Sequence, residues 1–152
     1  MRSKAPYPPL MMGQLEQRFL ATAADTRGAM SMFELSIPKG ARVPPPHYHE
    51  AVEEVVYCLA GVLAMTVDGL TTELHPGDSL LVPSGATHEF VNHGDELVRM
   101  LTVQTPGTIG PAYYEEMVSM LDASQGPPNP AMVKEIMGRH GLVPVARPQP
   151  VS

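Results

Sequence analysis

The sequence predicts an all-β fold, an antiparallel sandwich or barrel followed by one or two C-terminal helices. Three observations predict it. From Arg18 to Val103 short β-rich runs alternate with Gly, Pro and Asp turns, the cadence of many short strands. The 152 residues include 17 Pro and 13 Gly, a turn density that disfavours long helical bundles. After Gln104 the apolar spacing changes from the period of a strand to that of a helix.

Taken in order, residues 1–12 read as a Pro-rich arm. The strands expected after it are Arg18–Thr22, Ala29–Ile37, Glu54–Ala60, Val62–Val67, Leu70–Leu74, Ser79–Val82, His88–Val91 and Val98–Gln104. Asp68-Gly69 between apolar-rich runs suits a two-residue primed turn, and Ala60-Gly61 closes the run before it. Thr105-Pro106-Gly107 breaks the last strand. Pro111 to Asp122 then carries Tyr113, Met117, Met120 and Leu121 at helical spacing, with Glu115 and Glu116 in the early turns, where the helix dipole favours negative charge. Gly126-Pro127-Pro128 separates that helix from a second. In the second, Asn129 is the N-cap, Pro130 fits the first helical position and Gly141 follows His140 as a stop. The tail from Pro144 to Ser152 reads as extended or mobile. The organisation expected is therefore an arm (1–12), one barrel domain (13–106) and a helical C-terminal extension (107–152), without internal repeats.

Composition narrows the function. Apolar residues make up 43% and charged residues 17% of the chain, with a net charge of −6 and no basic block that could neutralise a row of phosphates. Nucleic acid is not an expected partner. Cys58 is the only cysteine, which leaves no intrachain disulfide and no thiolate metal site. Prolines 6, 8 and 9 interrupt Met1 to Met12, so no export signal is read there. The apolar stretch Val55 to Val67 is too short to span a bilayer as a helix. The expectation is a cytoplasmic protein without membrane contact.

Two segments carry the chemistry. Gly40 to Gly61 reads G-ARVPPP-H-Y-H-EAVE-E-VVYCLA-G. Residues two apart on a strand face one side, so His47 and His49 project together with Tyr48 turned away, a spacing that suits a chelate. Glu54 lies five residues after His49, which on a straight strand is the opposite face, so the chain must bend or change strands near Glu50–Val52. Glu53 is the competing carboxylate. The second segment, Gly77 to Asn92, reads G-DSLLV-P-S-G-AT-H-EFV-N. Pro83 and Gly85 punctuate a tight turn, and His88 then enters a strand as a third imidazole, with Phe90 and Asn92 on its side.

Together these segments resemble the paired motifs of the cupin superfamily, G-x(5,6)-H-x-H-x(3,4)-E-x(6)-G and G-x(5)-P-x-G-x(2)-H-x(3)-N. Gly40, His47, His49, Glu54 and Gly61 fill the first, and Gly77, Pro83, Gly85, His88 and Asn92 the second, with fifteen residues between them. Glu54 rather than Glu53 lies six residues before Gly61. The resemblance implies an antiparallel double-stranded β-helix, the cupin or jelly-roll barrel, in which His47, His49, Glu54 and His88 are metal ligands. The helices after the barrel are similar to those of small quercetin-dioxygenase-like cupins.

The ligand set so implied holds one divalent transition metal, with iron preferred and Mn, Ni, Co or Zn as alternatives. Three neutral imidazoles, one carboxylate and a dication leave a local charge near +1, which favours anionic, oxygen-rich ligands. A six-coordinate ion keeps two positions for an enediol, diol or hydroxy-ketone. The leading expectation is a dioxygenase-type oxygenase acting on a small oxygen-rich substrate, with Glu54 catalytic as proton acceptor. Isomerase, lyase or decarboxylase chemistry without O2, with Tyr57-type groups as further proton carriers, and a non-catalytic binding barrel are the alternatives. Cupins related in this way are commonly homodimers, and a homodimer is expected. The helix from Pro111 to Asp122 is read either as a lid over the barrel mouth or as packing on its outer face or in an interface. Met30, Met32, Met65 and Met100 fall in the predicted strands as core filler or cavity lining, and Cys58 shares the parity of Glu54. His75, His93 and His140 are not first-choice ligands.

Overall fold

The structure is a computed structural model that describes residues 7–41, 43–124 and 126–146. Eleven strands are formed among them: β1 (Leu10–Met12), β2 (Leu15–Ala21), β3 (Ser31–Ile37), β4 (His47–His49), β5 (Glu53–Ala60), β6 (Leu63–Val67), β7 (Leu70–Leu74), β8 (Ser79–Val82), β9 (His88–Val91), β10 (Val98–Thr105) and β11 (Leu142–Pro144). They join into two antiparallel sheets, of order β1-β2-β3-β10-β5-β8 and β11-β4-β9-β6-β7. Several neighbours in space, such as β3 with β10 and β4 with β9, are distant in sequence, as in a jelly-roll barrel. Three helices complete the chain: α1 (Ala23–Thr26), α2 (Pro111–Ala123) and α3 (Pro130–Arg139).

Alternation decides which side chains face inward. On β3, Ser31, Phe33, Leu35 and Ile37 are buried, and on β10 Val98, Met100, Thr102 and Gln104. On β5 Glu54, Val56 and Cys58 point in while Glu53, Val55 and Tyr57 point out. The outward Tyr57 lies away from the interior, which removes it as a proton carrier for a reaction inside the barrel. The expected strands reappear, three of them with the same bounds. The strand expected at Arg18–Thr22 begins earlier, at Leu15, because Gln17 occupies an inward position between Leu15 and Phe19 and masks the alternation.

Three elements were not anticipated. Leu10–Met12, at the end of the Pro-rich arm, pairs with Leu15–Gln17 as the edge of the larger sheet. Residues 1–6 of that arm lie outside the described residues. A short α1 follows Thr22, where the Asp25 carboxylate accepts from the Thr22 backbone N–H at 3.0 Å. Most consequential is β11. The chain leaves the barrel for α2 and α3 and then returns, so that Leu142, Val143 and Pro144 pair with His49, Tyr48 and His47. Pro144, expected to begin the tail, is thus held in a sheet, and residues 147–152 lie outside the described residues. The three-residue β4 gains a neighbour on its second edge, its other edge meeting β9 through the pair His47 and His88.

Helix α2 spans the expected residues plus one, and α3 starts as expected, with the Asn129 side chain accepting from the Ala131 N–H at 2.9 Å. The Tyr114 ring stands 5.6 Å from Phe19 and 5.8 Å from Phe33, which are 5.5 Å apart. Edge contacts of this kind contribute about 0.5–1.5 kcal/mol each beyond area burial and fasten α2 across the open end of the barrel.

Candidate metal centre

His47 and His49 arrive on β4 and His88 on β9, all from the smaller sheet, while Glu54 faces them from β5 of the larger one. The bend at Glu50 and Ala51 makes this meeting possible, since it ends β4 and lets Glu54 re-enter with the inward parity. The three imidazoles offer nitrogens that all lie within 4.8 Å of one another, with ring centroids 4.5–5.1 Å apart. Glu54 Oε2 is 3.4 Å from His49 Nε2, and Oε1 is 3.9 Å from His88 Nε2. All four side chains are buried. The sequence-selected residues therefore converge on one point between the sheets.

Hydrogen bonds orient the donors. His47 Nδ1 donates to the Pro45 carbonyl at 2.8 Å and His88 Nδ1 to the Ala86 carbonyl at 3.2 Å, since a carbonyl can only accept. In the neutral rings this leaves the Nε2 lone pairs to the interior, the arrangement metal-binding histidines adopt. His49 is different: neither of its ring nitrogens makes a hydrogen bond of normal geometry, and Nε2 meets only Glu54 Oε2 at 3.4 Å, although the residue is 3% exposed. An orphaned buried imidazole is costly, and a cation at the centre of the cluster would satisfy it. The donor set of three imidazoles and a carboxylate fits a divalent transition metal.

Charge states agree with that fit. Burial, with repulsion from His88, pushes His47 down to about 3. Burial also lowers His88. For Glu54 burial acts to raise the pKa but is outweighed by His49 and His88 beside it and by Gln104, so it falls to about 2. At neutral pH the buried carboxylate is ionised and His47 and His88 are neutral, as ligation requires. These shifts have a consequence for stability. The unfolded chain takes up a proton on His47 below pH 6.5, which the folded protein resists down to about 3, and below 4.5 the same holds for Glu54. Stability of chelator-treated protein is therefore expected to decline as pH falls from about 6.5 toward 3. Urea unfolding midpoints at pH 7, 5.5 and 4.5 check this, and an unchanged midpoint would contradict it.

Several residues of the site were not selected from sequence. Gln104 Nε2 donates to Glu54 Oε2 at 2.7 Å, and Ser31 Oγ donates to Gln104 Oε1 at 3.3 Å, a buried relay that holds the carboxylate. Inward parity with Met100 and Thr102 was the available signal for Gln104. The cluster forms one wall of a cavity of about 40 Å³ whose other walls include Gln17, Phe33, Met100, Tyr113 and Tyr114. Helix α2 thus contributes Tyr113 and Tyr114 to the cavity wall.

The remaining residues singled out from sequence lie outside the cluster. Asn92 does not face the cavity; its Nδ2 donates to the carbonyls of Ile37 and Glu96, both at 2.8 Å, and so clips the strand end. Cys58 is buried but lies off the cavity, with Sγ near the carbonyls of Ala60 and Gly61. Of the methionines considered, Met100 lines the cavity, Met65 is core and Met30 precedes its strand. His75 and His93 are exposed, and His140 bonds Glu116 Oε1 at 2.9 Å. No helix among the described residues is long and apolar enough to cross a membrane.

Comparison with known proteins agrees with this architecture. Residues 33–104 match the family described as the cupin domain. Over 104 residues the chain is 34% identical to the quercetin 2,3-dioxygenase of Bacillus subtilis, covering 68% of this chain and 30% of that enzyme. The chain thus spans less than a third of that relative's length. Among solved structures, a predicted oxalate decarboxylase from Thermotoga maritima superposes with a TM-score of 0.62 at 24% identity, over 70% of this chain and 99% of the other. A sugar phosphate isomerase of the cupin superfamily from Silicibacter pomeroyi gives a TM-score of 0.54 at 25% identity, over 66% of each chain. With two facing antiparallel sheets, both histidine and glutamate motifs brought to one interior point, and these likenesses, the chain belongs to the cupin superfamily.

Proposed function

We propose that this protein is a metal-dependent oxygenase of the dioxygenase type, acting on a short oxygen-rich organic molecule held at the buried cluster. The observation that carries the reading is the convergence of three imidazoles and an ionised carboxylate on the wall of a buried cavity, with His49 facing only the Glu54 carboxylate. His47, His49, Glu54 and His88 would hold the cation. When bound, a redox-active ion such as iron supplies the chemistry that brings substrate and O2 together. The protein's own contribution is orientation and exclusion of water. Gln104 engages Oε2 of Glu54 and leaves Oε1 directed toward the histidines, where it is placed to take a proton from a substrate hydroxyl. Tyr113 and Tyr114 on α2 shield the reacting groups from bulk solvent.

The likeness to the Bacillus subtilis quercetin 2,3-dioxygenase supports the oxygenase, and the space of about 40 Å³ beneath a partly open mouth favours a compact molecule at the cluster. The substrate class is therefore short 2-oxo acids, 2-hydroxy acids or enediols. The test is turnover of such compounds by iron-loaded protein in an oxygen electrode, repeated anaerobically. Oxygen uptake matching substrate loss is expected, with no loss under anaerobic conditions. Equal turnover without oxygen would favour the second reading, isomerase or decarboxylase chemistry with Glu54 moving the proton, which the likeness to a sugar phosphate isomerase supports.

A further inference from the structure

The cavity lined by the histidine and glutamate cluster also holds a polar side chain with hydrogen-bonding capacity to spare. Gln17 stands at an inward position of β2, is 1% exposed, and lines the cavity. Neither the oxygen nor the nitrogen of its carboxamide has a hydrogen-bond partner of normal geometry. The Tyr114 hydroxyl is its one polar neighbour, a side-chain interaction that offsets part of the rise burial imposes on that phenol and leaves the rest of the carboxamide's donors and acceptor unused. The surrounding wall is apolar, with Met12, Phe33, Leu35 and Met100.

An unsatisfied buried amide costs about 1–3 kcal/mol, and a leucine of similar shape would fill the same space without that cost. Gln104, the comparable buried amide on β10, is by contrast bonded at both ends, to Glu54 and Ser31. The cavity is also so small that a molecule filling it touches both the cluster and Gln17. A carboxamide offers one acceptor and two donors without charge, so it suits a neutral hydroxyl or carbonyl.

We propose that Gln17 is a ligand-recognition residue, hydrogen-bonding the far hydroxyl or carbonyl of a short 2-oxo or 2-hydroxy acid whose acid end is held at the His47, His49, Glu54 and His88 cluster. The inference rests on the site reading above and adds the residue that discriminates between substrates. Sites built to bond a hydroxyl reject the methyl analogue strongly, because the site's own group is then left unpaired.

The experiment compares wild type with Gln17→Leu by two readouts. The first is calorimetric binding to iron-loaded protein of a matched pair, hydroxypyruvate and 2-oxobutanoate, which differ by a terminal hydroxyl against a methyl. Wild type is expected to prefer hydroxypyruvate at least tenfold, and Gln17→Leu to lose or reverse the preference while retaining its metal. The second is thermal unfolding of the metal-free, ligand-free proteins, where Gln17→Leu is expected to melt no lower than wild type. A variant that melts clearly lower assigns Gln17 a structural bond and overturns the proposal. So does an equal preference in the two proteins, or wild type that carries metal and binds neither compound. Wild type that takes up no metal defeats the oxygenase reading instead, and the unfolding comparison, made without metal, still decides Gln17.

Discussion

Alanine at His49 or at Glu54 is expected to abolish metal uptake. Wild-type protein purified without added metal should carry about one equivalent of a divalent transition metal, and either variant less than about a tenth of that, because each change removes a donor from a four-donor set. Elemental analysis of the three proteins reads the result directly. Gln104→Ala provides a graded comparison: it removes the 2.7 Å bond to Glu54 Oε2 while leaving the four donors in place. Affinity lower by about 10–100-fold, with the site still filled at excess metal, is expected for a supporting bond of this kind. Metal binding to the folded state should also raise the unfolding temperature of wild type and leave both alanine variants unmoved. If all the proteins hold the same sub-stoichiometric trace, the cluster is not a metal site.

A large stability effect is expected at Gly61. Its φ is +72°, and an added Cβ would stand 2.8 Å from the Leu97 carbonyl oxygen and 3.0 Å from Val98 Cα. Both neighbours are backbone at the start of β10, so neither moves without disturbing the β5–β10 pairing that presents Glu54 beside Gln104. Left-handed backbone costs an alanine about 1–2 kcal/mol and the overpacking about 1–3 kcal/mol more. Gly61→Ala is thus expected to lose about 3 kcal/mol, a fall in Tm of about 10 °C for a chain of this size. Gly69→Ala is the control: its φ is +81°, but nothing lies within 4 Å of the added carbon. It should show the backbone cost alone, a fall of about 4 °C. Equal falls would show that the contact with β10 is not what selects glycine at position 61.

The motif glycines illustrate what was legible in the linear pattern. Gly40, Gly61, Gly77 and Gly85 all adopt positive φ, a local backbone demand that leaves a mark on residue identity wherever it occurs. Two-residue alternation likewise exposed β5, β9 and β10, while the choice of Glu54 over Glu53 came from the resemblance to the paired motifs. Asn129 and Pro130 announced α3 through capping chemistry that acts within one turn. Gln17 and Gln104 show where this kind of reading ends. Polar residues at inward positions break the apolar alternation, and their role depends on what stands across the barrel, which no spacing along one strand records.

Sequence alone determined that the chain is an all-β sandwich or barrel with a helical appendage, because strand period and turn residues are local properties, and the resemblance to the cupin motifs singled out His47, His49, Glu54 and His88. Tertiary structure alone decided that Leu142–Pro144 returns to brace the histidine strand, that Tyr113 and Tyr114 of α2 line a cavity of about 40 Å³, and that Gln17 lies on the same cavity with hydrogen-bonding capacity to spare. Those facts arise from contacts between segments tens of residues apart. Their free energy comes from burial and pairing across the barrel, and it leaves no periodic trace in the order of the residues.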